Sequence, residues 1–188
     1  MINRVDRSVE QIVDEILVMD CQSGRVKALE ILVSRWQKRL WRYAFRLIGD
    51  SEAAWDITQE SWLGIIRGIS RLNDPARFRP WAYKIVTNKT HDWIRKSITM
   101  KQTGSDRFDK LRAKEVQDHR QPQNNDTGVR ELLEKLDMRK KVVLSLYYFE
   151  QLTVPEIGAA LKIPDGTVKS RLHNARNELK RLWQKHCE

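Results

Sequence analysis

Cysteine, glycine and proline are all scarce in this chain: its 188 residues include two cysteines, eight glycines and five prolines. The two thiols, Cys21 and Cys187, lie near opposite ends and show no disulfide spacing. The histidines are scattered without metal-ligand spacing, so no metal and no cofactor is expected. No apolar run approaches the roughly 18 residues of a spanning helix, and no charged-then-apolar leader opens the chain, so the expectation is a cytoplasmic protein without membrane insertion. With few glycines and prolines there are few breaks. Apolar residues recur at steps of three and four, and strand alternation is hard to find, which predicts an all-α fold.

What the chain has in excess is positive charge. Lys and Arg outnumber Asp and Glu by 35 to 25, a net charge of +10 that favours a polyanionic partner. A hydrophobic content of 40% is enough for compact cores. Residues 97–128 interrupt the pattern: they are poor in apolar side chains and end in Gln, Asn, Pro and Gly, as a linker does, with a short helix expected near Phe108 to Val116. They separate a domain at 1–96, of charge +5, from one at 129–188, of charge +4. Two basic helical domains on a flexible tether can hold two separated stretches of one nucleic acid.

In the C-terminal block, Thr153-Val154-Pro155-Glu156 has the spacing of a capping box with proline in the first turn, so a helix is expected to begin there and run to Leu161. Lys162-Ile163-Pro164 breaks it, and Asp165 is expected to cap the next helix. Two helices joined by so short a turn have helix-turn-helix geometry. Val168, Leu172, Ala175, Leu179 and Leu182 make one buried stripe of the second helix. Lys169, Ser170, Arg171, His173, Asn174 and Arg176 then lie on or beside the polar face, while Asp165-Gly166-Thr167 leaves amide donors free for a phosphate. Such a face reads a major groove; a solvated basic face is the plainer reading.

In the N-terminal block, Leu32, Trp36, Leu40, Tyr43, Ala44 and Leu47 predict a helix ending before Gly49-Asp50. The next helix has a core stripe of Trp55, Trp62, Ile65, Ile66 and Ile69, leaving Asp56, Gln59 and Glu60 on another face. That acidic patch suits docking onto a basic protein surface better than metal or acid–base chemistry, with solvated residues as the plain alternative. A third helix, from Trp81 to about Lys96, carries Lys84, Asn88, His91 and Arg95 along one face beside Trp81, Tyr83 and Trp93. The loop before it adds Arg71, Arg77, Phe78 and Arg79. Cations interleaved with aromatics suit single-stranded DNA, although tryptophans in small helical domains usually fill cores.

"DITQESW", "FRPWAYKIVTNKTHDWIRK" and "LTVPEIGAALKIPDGTVKSRLHNAR", in this order around a polar linker, resemble bacterial RNA polymerase sigma factors of the extracytoplasmic-function (ECF) group of the sigma-70 family. The resemblance covers residues 25–96 and 129–188 and implies a protein without catalytic residues of its own. It implies that Asp56, Gln59 and Glu60 dock on the clamp helices of the largest subunit of core RNA polymerase. It further implies that Arg77, Phe78, Arg79, Lys84, Asn88, His91 and Arg95 capture the melted −10 strand of promoter DNA, a base being flipped into a pocket. Thr167, Lys169, Ser170, Arg171, His173, Asn174 and Arg176 would read the −35 element as duplex, and an anti-sigma factor would hold the protein inactive. Asn174 stands where arginine is frequent, and Asp137 and Gly158 replace a common proline and alanine. A helix-turn-helix regulator that is not a polymerase subunit is the nearest alternative, and leaves the Asp56 patch and the Asn88 face without a role. A nucleic-acid enzyme using Asp56, Glu60 and Asp92 is a third class. No role follows for residues 1–24.

Overall fold

A computed structural model describes residues 4–102 and 132–186. Among these residues the regular structure is helical throughout: α1 (Arg4–Gln22), α2 (Val26–Ile48), α3 (Ser51–Gly68), two 3-10 turns (Ile69–Arg71 and Pro75–Arg77), α4 (Phe78–Gln102), α5 (Met138–Leu144), a π turn (Ser145–Phe149), α6 (Val154–Leu161) and α7 (Asp165–His186). The short helix expected near Phe108 to Val116 lies outside the described residues, as does Cys187.

Local chemistry sets most of the helix ends. α2 stops at Gly49, whose φ of 75° is left-handed and whose N–H donates to the Phe45 carbonyl, because glycine adopts that conformation without a Cβ penalty. Asp50 follows at once and accepts from the Ala53 N–H at 2.9 Å, capping α3. The capping box of α6 forms as expected: the Thr153 N–H donates to Glu156 Oε2 at 2.7 Å and the Glu156 N–H to Thr153 Oγ1 at 3.4 Å. Lys162, at a φ of 53°, ends that helix. Asp165, however, is the first residue of α7 rather than its cap. Its carboxylate instead faces Gly158, where any Cβ would lie 2.8 Å from Asp165 Oδ1 and 3.0 Å from the Ile163 carbonyl. Glycine at 158 lets the two helices of the turn approach this closely.

The N-terminal helices enclose a core built on Trp36, which is 1% exposed and meets Phe78 and Tyr83 edge-on at 5.2 and 5.9 Å. α2 buries the stripe expected of it. α3 does not: Trp55 and Ile66 are exposed, while Ala54, Ile57, Thr58 and Ser61 face the core with Trp62 and Ile65. Small side chains let α3 lie close to its neighbours, and Thr58 and Ser61 satisfy their hydroxyls on the carbonyls of Ala54 and Ile57 within the helix. Trp55 stacks on Trp41 at 5.5 Å at the surface instead. α4 begins three residues before the expected Trp81 and continues beyond Lys96 to Gln102, into the stretch expected as linker.

The sequence pattern had assigned nothing to α1. It buries Leu17 and Val18, and Gln22 Nε2 donates to the carbonyls of Ile69 and Leu72 at 3.0 and 2.7 Å, tying its end to the turn after α3. Asp14 pairs with Arg35 at 2.9 Å and Glu10 with Arg39 at 3.0 Å.

The two blocks pack against each other. One continuous buried cluster runs from Leu17 through Trp36 and Tyr83 to Leu146, Ile157 and Ala175, and α6 lies against α4. Lys141 Nζ donates to the Leu47 carbonyl at 3.4 Å, at the C-terminal end of α2, and burial pushes its ammonium below the usual lysine range. Glu150, 8% exposed, enters the N-terminal block: its carboxylate accepts from Arg46 and from the Tyr83 hydroxyl, and its carbonyl from Arg79.

Candidate nucleic-acid and protein interfaces

Three surfaces carry the residues singled out above. On α3, Asp56, Gln59 and Glu60 are all exposed, one helical turn apart, and lie on the side away from the buried face. Glu60 pairs with Lys89 of α4 at 3.0 Å, in solvent. The exposed Leu63 and Ile66 lie further along α3, so the acidic patch runs into an apolar one. The expected core stripe concealed this, since it had placed Ile66 inside.

On α4, Asn88, His91 and Arg95 are exposed and Lys84 half-buried, at spacings that keep them on one face. Arg95 pairs with Asp92 at 3.0 Å. Burial pushes the His91 imidazole below its ordinary value, opposed by Asp92 and assisted by Arg139, so at neutral pH the ring is uncharged and offers a hydrogen bond rather than a cation. The aromatic platform expected beside this face is largely absent from the surface. Tyr83 is buried and Trp81 and Trp93 are partly buried against the core. Phe78, also 1% exposed, is likewise a core residue, because a ring opposite Trp36 loses more water inside than it could against a base. Arg79 is half-buried and bound to Glu150, whereas Arg77 is exposed beside Asp74 at 3.4 Å. Of the expected strand-binding set, then, Arg77, Lys84, Asn88, His91 and Arg95 reach solvent, and Phe78 does not.

On α7 the expected division holds for its first three turns. Val168, Leu172 and Ala175 are buried, while Lys169, Ser170, His173, Asn174 and Arg176 are exposed, with Thr167 and Arg171 half-buried at the edge. Asn177 Nδ2 lies 2.9 Å from His173 Nε2, and Arg176 Nε donates to the Leu172 carbonyl at 3.2 Å, so parts of this face are already oriented. Leu179 and Leu182 are only partly buried. Among the described residues no group of His, Cys, Asp and Glu could hold a metal, and no helix is long and apolar enough to cross a membrane.

A helix-turn-helix with an exposed cationic face, joined to a helical unit with its own polar α4 face and an acidic α3 patch, defines a two-unit helical protein of the nucleic-acid-binding class. The family description Sigma-70 region 2 matches residues 32–97, and Sigma-70, region 4 matches residues 132–181. SigV of Bacillus subtilis, an RNA polymerase sigma factor, is 30% identical over 72% of this chain and 78% of its own length. The ECF RNA polymerase sigma factor SigW of the same organism is 26% identical over 87% of this chain and 93% of its own. The ECF sigma factor SigE of Mycolicibacterium smegmatis is 30% identical over 82% of this chain, which spans 61% of SigE. Among solved structures, CnrH in complex with the cytosolic domain of CnrY is similar with a TM-score of 0.69 and 25% identity, covering 92% of this chain and 98% of that one. The sigma factor RpoE of Bartonella quintana, in complex with the anti-sigma factor NepR, shares the fold with a TM-score of 0.71 and 19% identity over 85% of this chain and 98% of that one. The chain belongs to the sigma-70 family of RNA polymerase sigma factors, in its ECF group.

Proposed function

We propose that this chain confers promoter specificity on core RNA polymerase, docking through Asp56, Gln59 and Glu60, engaging the opened −10 strand with the α4 face and reading the −35 duplex with α7. The observation that carries this is the presence of both sigma-70 regions with all three surfaces turned to solvent. A sigma factor favours the open promoter by contacts made only once the bases are unstacked, so it needs binding groups rather than catalytic ones. In this reading Phe78 shapes the strand-binding loop from inside, and Arg77, Lys84, Asn88, His91 and Arg95 make the contacts. The closed packing of the two blocks supports an anti-sigma factor as a further partner, one that would act on a chain able to bring both DNA-binding units together.

Strand capture is tested by Asn88→Ala. The variant should still bind polymerase but give several-fold weaker permanganate reactivity of thymines in the opened region, and equal reactivity in variant and parent would remove Asn88 from the contact set. Duplex reading is tested by Lys169→Ala and Arg171→Ala. Each should weaken binding to promoter duplex, and loss of a phosphate contact should reduce the slope of log affinity against log salt by about 1. Unchanged affinity across a salt series would show that α7 approaches DNA by another face.

A further inference from the structure

Arg35, Arg39, Arg42 and Arg46 follow one another on α2 at steps of four, three and four, which places them along one side of the helix over about 16 Å. Arg79, at the start of α4, joins the same side through its contact with Glu150. A cleft of about 310 Å³ opens there between α1, α2, the Pro75–Arg77 turn and the Phe149–Gln151 segment. Four of these five guanidiniums, Arg39, Arg42, Arg46 and Arg79, line it.

The anions that meet this ridge come from other parts of the chain. Asp14 and Glu10 reach it from α1, and Glu150 from the C-terminal unit, while Arg42 is exposed and has no acidic partner among the described residues. Glu150 presents three acceptors at once, its two carboxylate oxygens to Arg46 and the Tyr83 hydroxyl and its carbonyl to Arg79. The fit is incomplete. Both Arg46 Nε and Arg79 Nε stay buried without a hydrogen-bond partner among the described residues. A planar carboxylate offers two oxygens in one plane, whereas a phosphodiester offers oxygens in tetrahedral array that can bridge two guanidinium forks.

We propose that the Arg39–Arg42–Arg46–Arg79 cleft is a binding site for a backbone phosphate of single-stranded promoter DNA, and that Glu150 occupies it in the closed chain. This rests on the reading of the chain as a sigma factor. The cleft is bordered by the Pro75–Arg77 turn, so a strand lying against Arg77 and continuing along the chain surface enters it directly. Strand and Glu150 then exclude each other: the C-terminal unit must leave the N-terminal one before the phosphate can bind. α1, through Glu10, keeps Arg39 aligned along the ridge and lowers the net charge that a non-specific anion would meet; the Arg39 guanidinium in turn holds the Glu10 carboxyl below its usual range.

The probe is a fluorescently labelled 12-nucleotide single-stranded DNA, titrated with the full chain at constant salt. Glu150→Gln keeps the side-chain shape and removes the charge. It should bind the oligonucleotide about tenfold more tightly, the gain expected of a site that is ~90% blocked in the parent. Arg46→Gln and Arg79→Gln, singly and together in the E150Q background, should remove that gain. Lys27→Ala with Lys38→Ala, which deletes the same charge from exposed positions elsewhere, should leave it. Helical circular dichroism identifies any variant that has failed to fold, and the single arginine replacements then carry the result. Equal affinity of parent and E150Q overturns the proposal, as does a gain that survives loss of both arginines. Inorganic triphosphate that competes as well as the oligonucleotide at equal phosphate concentration would make the cleft a small-anion site and overturn the strand assignment. Whether the chain is a polymerase subunit is read separately, from co-elution of the parent with core polymerase, so failure of either idea is visible without the other.

Discussion

Replacing Trp36 with alanine should lower the free energy of unfolding by about 3–5 kcal/mol, the usual range for deleting a fully buried indole. The size follows from its position: the ring joins α2 to α4 through edge-on contacts with Phe78 and Tyr83, and the Arg39 guanidinium lies 5.5 Å above it. No neighbour can collapse into the space without leaving its own contacts, since Phe78, Tyr83 and Tyr43 are themselves buried and mutually packed. Urea unfolding is the measurement, and the midpoint should fall with little change in slope. Trp36→Phe should recover part of the loss. The consequence extends beyond the core, because Tyr83 also holds the Glu150 carboxylate. An unchanged midpoint would mean that the α2–α4 contact contributes little to stability.

The second large effect is functional and should leave stability nearly untouched. Asp56→Ala together with Glu60→Ala should weaken binding to core RNA polymerase on the order of 100-fold, two interfacial charges at about 1.4 kcal/mol each, and so abolish co-elution on gel filtration. Both residues are exposed, alanine is a good helix former, and the Glu60–Lys89 pair broken by the change is a solvent-exposed one, worth about 0–1 kcal/mol. Retained co-elution by the folded double variant would move the polymerase contact off α3. Salt should weaken the parent complex too, as expected of an acidic patch meeting a basic surface.

The environment of Glu150 adds a constraint on how the closed state responds to pH. Burial raises its carboxyl above the usual carboxylate range, and Arg46, the Tyr83 hydroxyl and Arg79 pull it back part of the way. A carboxyl whose value is higher in the closed chain binds a proton there more readily than in the open one, so acid does not by itself release this contact. The E150Q variant imitates the protonated form in charge but also gives up the ion pair with Arg46, and it is the ion pair that the proposed strand phosphate would replace.

What the sequence by itself determined is what depends on residues a few positions apart. The stop and restart at Gly49-Asp50, the capping box at Thr153 and Glu156, the turn at Lys162 and the cationic face of α7 were all readable, because helical periodicity and capping are local and each has a fixed spacing. Exposure of Asp56, Gln59 and Glu60 followed from the same periodicity, although the stripe beneath them did not. Trp55 and Ile66 are outside and Ala54, Ile57, Thr58 and Ser61 inside because hydrophobicity alone cannot say which side of an apolar-rich helix a neighbour will approach. Tertiary structure alone placed Phe78 against Trp36, gave α1 its acidic contacts with the α2 arginines, and brought Glu150 to Arg46 across 104 residues. Such pairings carry no periodic signature. They are selected by how well whole surfaces exclude water and satisfy buried charge together, and that is decided only when the two helical units meet.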